Sequence, residues 1–238
     1  MTTAIKYWLI TLATLIATST AQHCFAYNAG DFIARAGFAR VQPNDDSDPL
    51  SLNGTELSQL GNGLPRTEVQ VDGDSQLGIT FTYMINSHWG LGLLASTPFK
   101  HDVHASALGV KVGEAKHLPP TLTLQYFPMN KDAKWQPYVG LGINYTQFFD
   151  EKVDGELDAA LAGLGATGDA SLSLDSSWGL AAQLGVDYKI NDRWVVNSSL
   201  WYINIETTAD VDVPGLGKMQ TDIDINPWGY MLSVGYVF

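Results

Sequence analysis

The chain ends Trp228-Gly229-Tyr230-Met231-Leu232-Ser233-Val234-Gly235-Tyr236-Val237-Phe238, and this stretch constrains the fold more than any other. Every even position is bulky and apolar; the odd positions include Gly229, Ser233 and Gly235, with Met231 and Val237 as exceptions. Successive side chains of a strand point to opposite faces, so the bulky set shares one face. A large apolar face opposite a small one inverts the pattern of a water-soluble barrel, whose large residues point inward. It suits a strand whose outside touches lipid and whose inside must leave room. The pattern predicts the closing strand of a transmembrane β-barrel.

Seven earlier stretches alternate in the same way. Phe32, Ala34, Ala36 and Phe38 oppose Arg35, Gly37 and Ala39; Leu77, Ile79, Phe81, Tyr83 and Ile85 oppose Gln76, Gly78, Thr80 and Thr82. Trp89, Leu91, Leu93 and Ala95 oppose Gly90, Gly92, Leu94 and Ser96; Leu118, Leu122, Leu124 and Tyr126 oppose Thr121, Thr123 and Gln125. Val139, Leu141, Ile143 and Tyr145 then oppose Gly140, Gly142, Asn144 and Thr146. The clearest case sets Trp178, Leu180, Ala182, Leu184, Val186, Tyr188 and Ile190 against Gly179, Gln183, Gly185, Asp187 and Lys189. Trp194, Val196, Leu200 and Tyr202 face away from Asn197, Ser199 and Trp201. Eight such segments predict an all-β fold, an eight-stranded antiparallel transmembrane barrel.

The connections alternate in length too. Short ones at 86–88, 128–134 and 191–193 separate long ones at 42–75, 100–117, 150–176 and 207–221. Short periplasmic turns, long external loops and periplasmic termini are the outer-membrane arrangement. Within 150–176, Glu156 to Leu161 has the composition of a helical turn, limited by Gly163, Gly165 and Gly168.

The N-terminus agrees with export. Lys6 is the only charge before Asp31, and an apolar run from Tyr7 to Ala17 precedes the small-x-small site Cys24-Phe25-Ala26. That run is too short to span a bilayer as a helix, so residues 1–26 read as a cleaved signal peptide and 27–238 as the barrel. Cys24 is not read as a lipid-attachment site, because His23 stands where a small residue is needed. The chain is acidic, with 25 Asp+Glu against 13 Lys+Arg, which argues against nucleic acid as a partner. Much of the acid lies in the long connections (Asp45, Asp46, Asp48, Asp150, Glu151, Asp154), as solvated loops require. The partners expected are outer-membrane lipid and lipopolysaccharide.

The interior of an eight-stranded barrel is barely wide enough for its own side chains. Many inward positions here are glycine, which either relieves crowding or leaves lumen volume. Leu94 and Trp201 are large and apolar on the face where water-filled porins place charges. Pro98, Pro119 and Pro120 fall near the outer ends of the third and fourth strands. Proline cannot donate to a ladder, so three around one hairpin predict a wall whose hydrogen bonding fails there. An unpaired backbone in hydrocarbon must be covered or serve as an exit. An apolar lumen with an interrupted wall points to sideways release of a hydrophobic solute.

These residues resemble the outer membrane protein W (OmpW) family, including AlkL-like hydrophobic-solute channels. The resemblance rests on Leu94-Ala95-Ser96-Thr97-Pro98-Phe99, His117-Leu118-Pro119-Pro120-Thr121-Leu122, Pro137 to Thr146, Ser177-Trp178-Gly179-Leu180-Ala181, Leu200-Trp201-Tyr202-Ile203 and the terminal strand. It implies a narrow hydrophobic channel closed toward the periplasm and open sideways through the wall. It places Leu94 and Trp201 at the constriction, and the three prolines at the lateral opening. It also implies that Phe238 is read by the barrel-assembly machinery. The loops at 42–71 and 150–174 look individual, which leaves solute identity open.

Two rival readings differ from this one. An enzyme would need a nucleophile with a base and an orienting group, and no such motif is present. His101-x-x-His104 with His117 has a spacing able to hold a metal, but reads as solvated loop; no cofactor or metal is expected. A structural or adhesive barrel, with loops binding host, phage or toxin, needs neither an apolar constriction nor a proline hairpin.

Overall fold

The computed structural model describes residues 27–238 apart from 45, 61–64, 107–108 and 131. The expected leader, 1–26, lies outside the described residues. Eight strands form the barrel: β1 Phe32–Gln42, β2 Asp74–Met84, β3 Trp89–Ser96, β4 Thr121–Tyr126, β5 Trp135–Val153, β6 Ser177–Lys189, β7 Trp194–Ile203 and β8 Trp228–Val237. Each pairs antiparallel with its chain neighbour, and β1 pairs with β8 from Ile33↔Val237 to Gln42↔Trp228. That last ladder closes the sheet and removes its edges, the condition for a strand structure to sit in hydrocarbon.

The alternation becomes a lipid belt. Leu141, Trp178, Leu180, Leu184 and Leu232 are among the most exposed large apolar side chains, while Gln183, Asn144, Asn197 and Thr123 are buried inside. Aromatic pairs mark both rims: Trp89–Tyr126, Trp135–Tyr188 and Trp194–Tyr236 below, Tyr145–Trp178 and Tyr202–Trp228 above. Trp135 and Tyr145 lie on one strand, separated by about 33 Å at ~3.3 Å per residue. A tilt of roughly 40° projects this to about 25 Å, the height of an outer-membrane apolar band.

Two of the periplasmic turns share one device. Asn86 Oδ1 accepts from the backbone N–H groups of His88 and Trp89, and Asn191 Oδ1 from those of Arg193 and Trp194, all at 2.9 Å. Such side-chain turns let a strand reverse in a few residues.

The long connections are not irregular loops. They build a crown of two sheets. One continues the wall, joining Val69–Val71, Phe99–Ala105, Val110–Leu118 and the upper part of β5. The other joins Ser171–Leu174, Glu206–Val213, Gly217–Asp224, Ser51–Leu52 and Thr55–Glu56. Leu118 therefore belongs to a crown strand rather than to β4, because Pro119 and Pro120 separate the two. The expected turn near 156 is a nine-residue helix, α1, Gly155–Gly163. Asp154 caps it by accepting from the Glu156 N–H, and Leu157 and Leu161, one turn apart, bury in the crown core.

Candidate functional site

The crown encloses aliphatic side chains. Leu50, Val69, Val103, Val112, Val211, Ile223 and Ile225 form one cluster that runs down through Ile205 and Ile203 to Trp201, with Leu94 packed against it. Three cavities of about 30 Å³ each follow this cluster. The upper two share Val103, Leu174 and Ile223 in their walls. The third brings Leu94, Trp201, Ser96, Phe99 and Pro119 together. Leu94 on β3 and Trp201 on β7, far apart in the chain, thus face one space.

Trp201 is buried, and its indole N–H donates to Ser199 Oγ at 3.3 Å. Opposite it across the β7–β8 ladder stands Gly229, where a Cβ would come no nearer than 3.5 Å to the Trp201 side chain.

The strand ladder of the wall is interrupted beside this space. β3 and β4 pair from Trp89↔Tyr126 up to Leu94↔Thr121, and the crown hairpin resumes at Phe99↔His117. Between them no ladder pair joins 95–98 to 118–120. The flanking ladders persist: Thr97 N–H donates to Leu77 O at 3.0 Å, and Tyr145 N–H to Pro120 O at 3.1 Å. The interruption is therefore confined to one seam, at the height of the upper aromatic rim. Pro119 lies buried along it, while Pro98 and Pro120 are exposed.

Below Trp201 the interior changes character. The Arg35 guanidinium clasps Asp187 in two parallel bonds, Nε to Oδ1 at 2.9 Å and Nη2 to Oδ2 at 2.5 Å. Tyr27 OH and Asn197 Nδ2 donate to the same carboxylate at 2.7 and 2.8 Å. The network continues from Arg35 Nη1 to Thr82, from Thr82 to Gln125, and from Gln125 to Gln183. Beneath it Tyr27, Ile33, Met84, Phe127, Tyr138 and Val195 pack as an apolar floor. The inward glycines here answer to crowding rather than lumen volume. A Cβ on Gly185 would stand 2.3 Å from the Tyr138 ring, and one on Gly142 1.9 Å from the Leu122 carbonyl oxygen.

The histidines are not a solvated loop. His101 and His117 are buried and stack at 4.8 Å between Phe99 and Phe148. Burial lowers both imidazoles, His117 to about 3 with help from the charge of its neighbour. His104 is half-buried and pairs with Asp72 at 3.4 Å. A spacing of three places two side chains on one helix face but on opposite faces of a strand, so His101 and His104 cannot converge. Parity marks Arg35 and Asp187 as inward; their pairing, and that of the two imidazoles, needs the barrel to close.

The OmpW family model matches residues 28–238. This chain belongs to the OmpW family. It is 44% identical to outer membrane protein W of Vibrio cholerae serotype O1, over 98% of this chain and all of that protein. It is 30% identical to outer membrane protein AlkL of Ectopseudomonas oleovorans, over 89% of this chain and 84% of that one. Its fold matches the crystal structure of outer membrane protein OprG from Pseudomonas aeruginosa with a TM-score of 0.79 and 44% identity, covering 90% of this chain and 98% of that chain. This OmpW-family chain is an outer-membrane β-barrel, and both of these relatives carry the names of outer-membrane proteins rather than of enzymes.

Proposed function

We propose that this barrel is a passive, non-catalytic channel through which small hydrophobic molecules enter from outside and leave sideways into the bilayer at the seam. The observation that carries the reading is the third cavity, where Leu94 and Trp201 meet Ser96, Phe99 and Pro119 at the height of the upper aromatic rim. A hydrated ion entering the crown finds no groups to replace its water, whereas an apolar solute exchanges one apolar contact for another. Downward passage is blocked by the Arg35–Asp187 network and the floor of Tyr27, Met84 and Phe127. The open ladder between 95–98 and 118–120 leaves the wall as the way out.

The test is uptake of a labelled long-chain alkane by cells carrying wild-type or Trp201→Asp protein at matched surface levels. The carboxylate puts an unpaired charge at the narrowest apolar point. Uptake falls to near that of cells lacking the protein, while folding is kept. Equal uptake would remove the channel and favour a structural or adhesive barrel.

A further inference from the structure

The middle cavity carries a chemical detail that a purely hydrocarbon channel does not need. Its wall is aliphatic except for Thr207, Phe148, His101 and His117. Thr207 is satisfied, donating to Asp175 O at 2.7 Å. His101 Nδ1 is in hydrogen-bond contact with the backbone carbonyl oxygen of Asp72, which can only accept. Nδ1 therefore carries the ring proton, and Nε2 carries a lone pair. That Nε2 is buried and has no hydrogen-bond partner. Buried polar atoms without partners are uncommon and call for an explanation. Burial keeps His101 below its ordinary range, so the lone pair stays free at neutral pH. Lower in the column a second buried atom is unpaired: Ser96 Oγ, in the wall of the cavity that also holds Leu94, Trp201 and Pro119.

We propose that the column takes solutes that are hydrocarbon along most of their length and end in one hydrogen-bond donor, the class of long-chain alcohols. His101 Nε2 accepts the hydroxyl proton in the crown, and Ser96 Oγ takes up the same group beside the seam. The proposal rests on the hydrophobic-channel reading and names its substrate class. A plain alkane leaves Nε2 unpaired. An ionised fatty acid has no proton to give it. A sugar or diol brings more polar groups than the lining can satisfy.

The protein in lipid nanodiscs at pH 8, with ¹⁵N-labelled histidine and ¹³C-labelled methyls, is titrated with 1-decanol, decane or decanoate. The expected result is a saturable shift of the His101 Nε2 resonance with decanol alone. The methyls of Val103 and Ile223 respond to decanol at a mole fraction about five- to tenfold lower than to decane, the worth of one hydrogen bond. His101→Phe, which keeps a stacked ring, removes that preference; His101→Gln, whose side-chain oxygen accepts, restores part of it. An unmoved Nε2 resonance, or a preference that survives in His101→Phe, overturns the proposal. The wild-type resonance decides the matter even if a variant fails to assemble. If decane moves the methyls and decanol is not preferred, the substrate class falls and the channel stands. If neither solute moves them, both fall.

Discussion

The crown and the periplasmic half of the barrel are built from the same alternating strands and enclose opposite interiors. Above Trp201 the inward positions carry valine, isoleucine and leucine, and the space between them is broken into small apolar cavities. Below it they carry arginine, aspartate, glutamine, asparagine and threonine, tied into one hydrogen-bonded network. Parity of position dictates only which way a side chain points. What it points with changes with height, and that change separates an apolar column from a hydrogen-bonded polar plug. Trp201 stands at the boundary, its ring in the apolar cluster and its N–H on Ser199.

The sharpest way to break the contrast is at Asp187, which accepts from Arg35, Tyr27 and Asn197 with no exposure to solvent. Asp187→Leu leaves a buried guanidinium without its counterion and is expected to cost about 3–5 kcal/mol in reversible unfolding from bilayers. Arg35→Met combined with Asp187→Leu should recover most of that loss. A double variant as damaged as the single one would mean that the pair is not the keystone of the plug.

Lipid and lumen faces can be set against each other on β6. Leu184→Arg points into hydrocarbon, at a cost of roughly 2–4 kcal/mol near the midplane. Gln183→Arg points into the polar lumen and should cost much less. Equal costs in the same unfolding assay would contradict the register in which Leu184 is 55% exposed and Gln183 5%.

Acidity tests the crown against the plug. Burial holds His117 near 3 in the folded crown, against an ordinary value of 6.5. An imidazole depressed by folding binds protons more readily when unfolded. Its neutral burial therefore costs nothing above about pH 6.5 and increasingly destabilises the crown as pH falls toward 3. Amide exchange around Val110–Leu118, corrected for the intrinsic effect of pH, should quicken between pH 7 and pH 4 relative to the same amides in His117→Phe. Identical pH dependence in the two proteins would show that His117 does not govern crown opening.

The smallest effect on the folded state is expected at Phe238, which is 71% exposed and touches Phe32 and Tyr236 at the barrel rim. Its deletion should shift unfolding by less than about 1 kcal/mol, as for surface residues generally. The yield of folded, heat-modifiable barrel in cells at low expression should nevertheless fall, through the assembly machinery. Unchanged insertion would remove that role from Phe238.

Much of the barrel is legible in the order of its residues. The period of two puts Gln183 inside and Leu184 outside, and sets Leu94 and Trp201 on the inner face. The three prolines lie where the ladder between β3 and the chain leading into β4 is interrupted. Other features are not legible there, and the reasons are physical. The crown hairpin Phe99–Ala105 and Val110–Leu118 alternates too, but its outer face carries Lys100, Asp102, Lys111 and Glu114 rather than lipid-facing residues. A charged outer face looks like loop until cross-strand partners are known. His-x-x-His resembles a solvated ligand pair only while the segment is taken to be irregular; as a strand it turns His101 inward and His104 outward.

The sequence by itself determined the barrel, its strand count, the lipid-facing set and the family. The first three follow from a local rule, the alternation of side chains along an extended chain, repeated eight times between turns; the family follows from short motifs set on those strands. Only the tertiary structure decided which inward residues meet. Arg35 and Asp187 are 152 positions apart, and Leu94 and Trp201 approach from strands on different parts of the wall. Such meetings depend on the stagger and closure of the sheet, which no single strand encodes. The column, the plug and the unpaired nitrogen of His101 exist only once β1 has paired with β8.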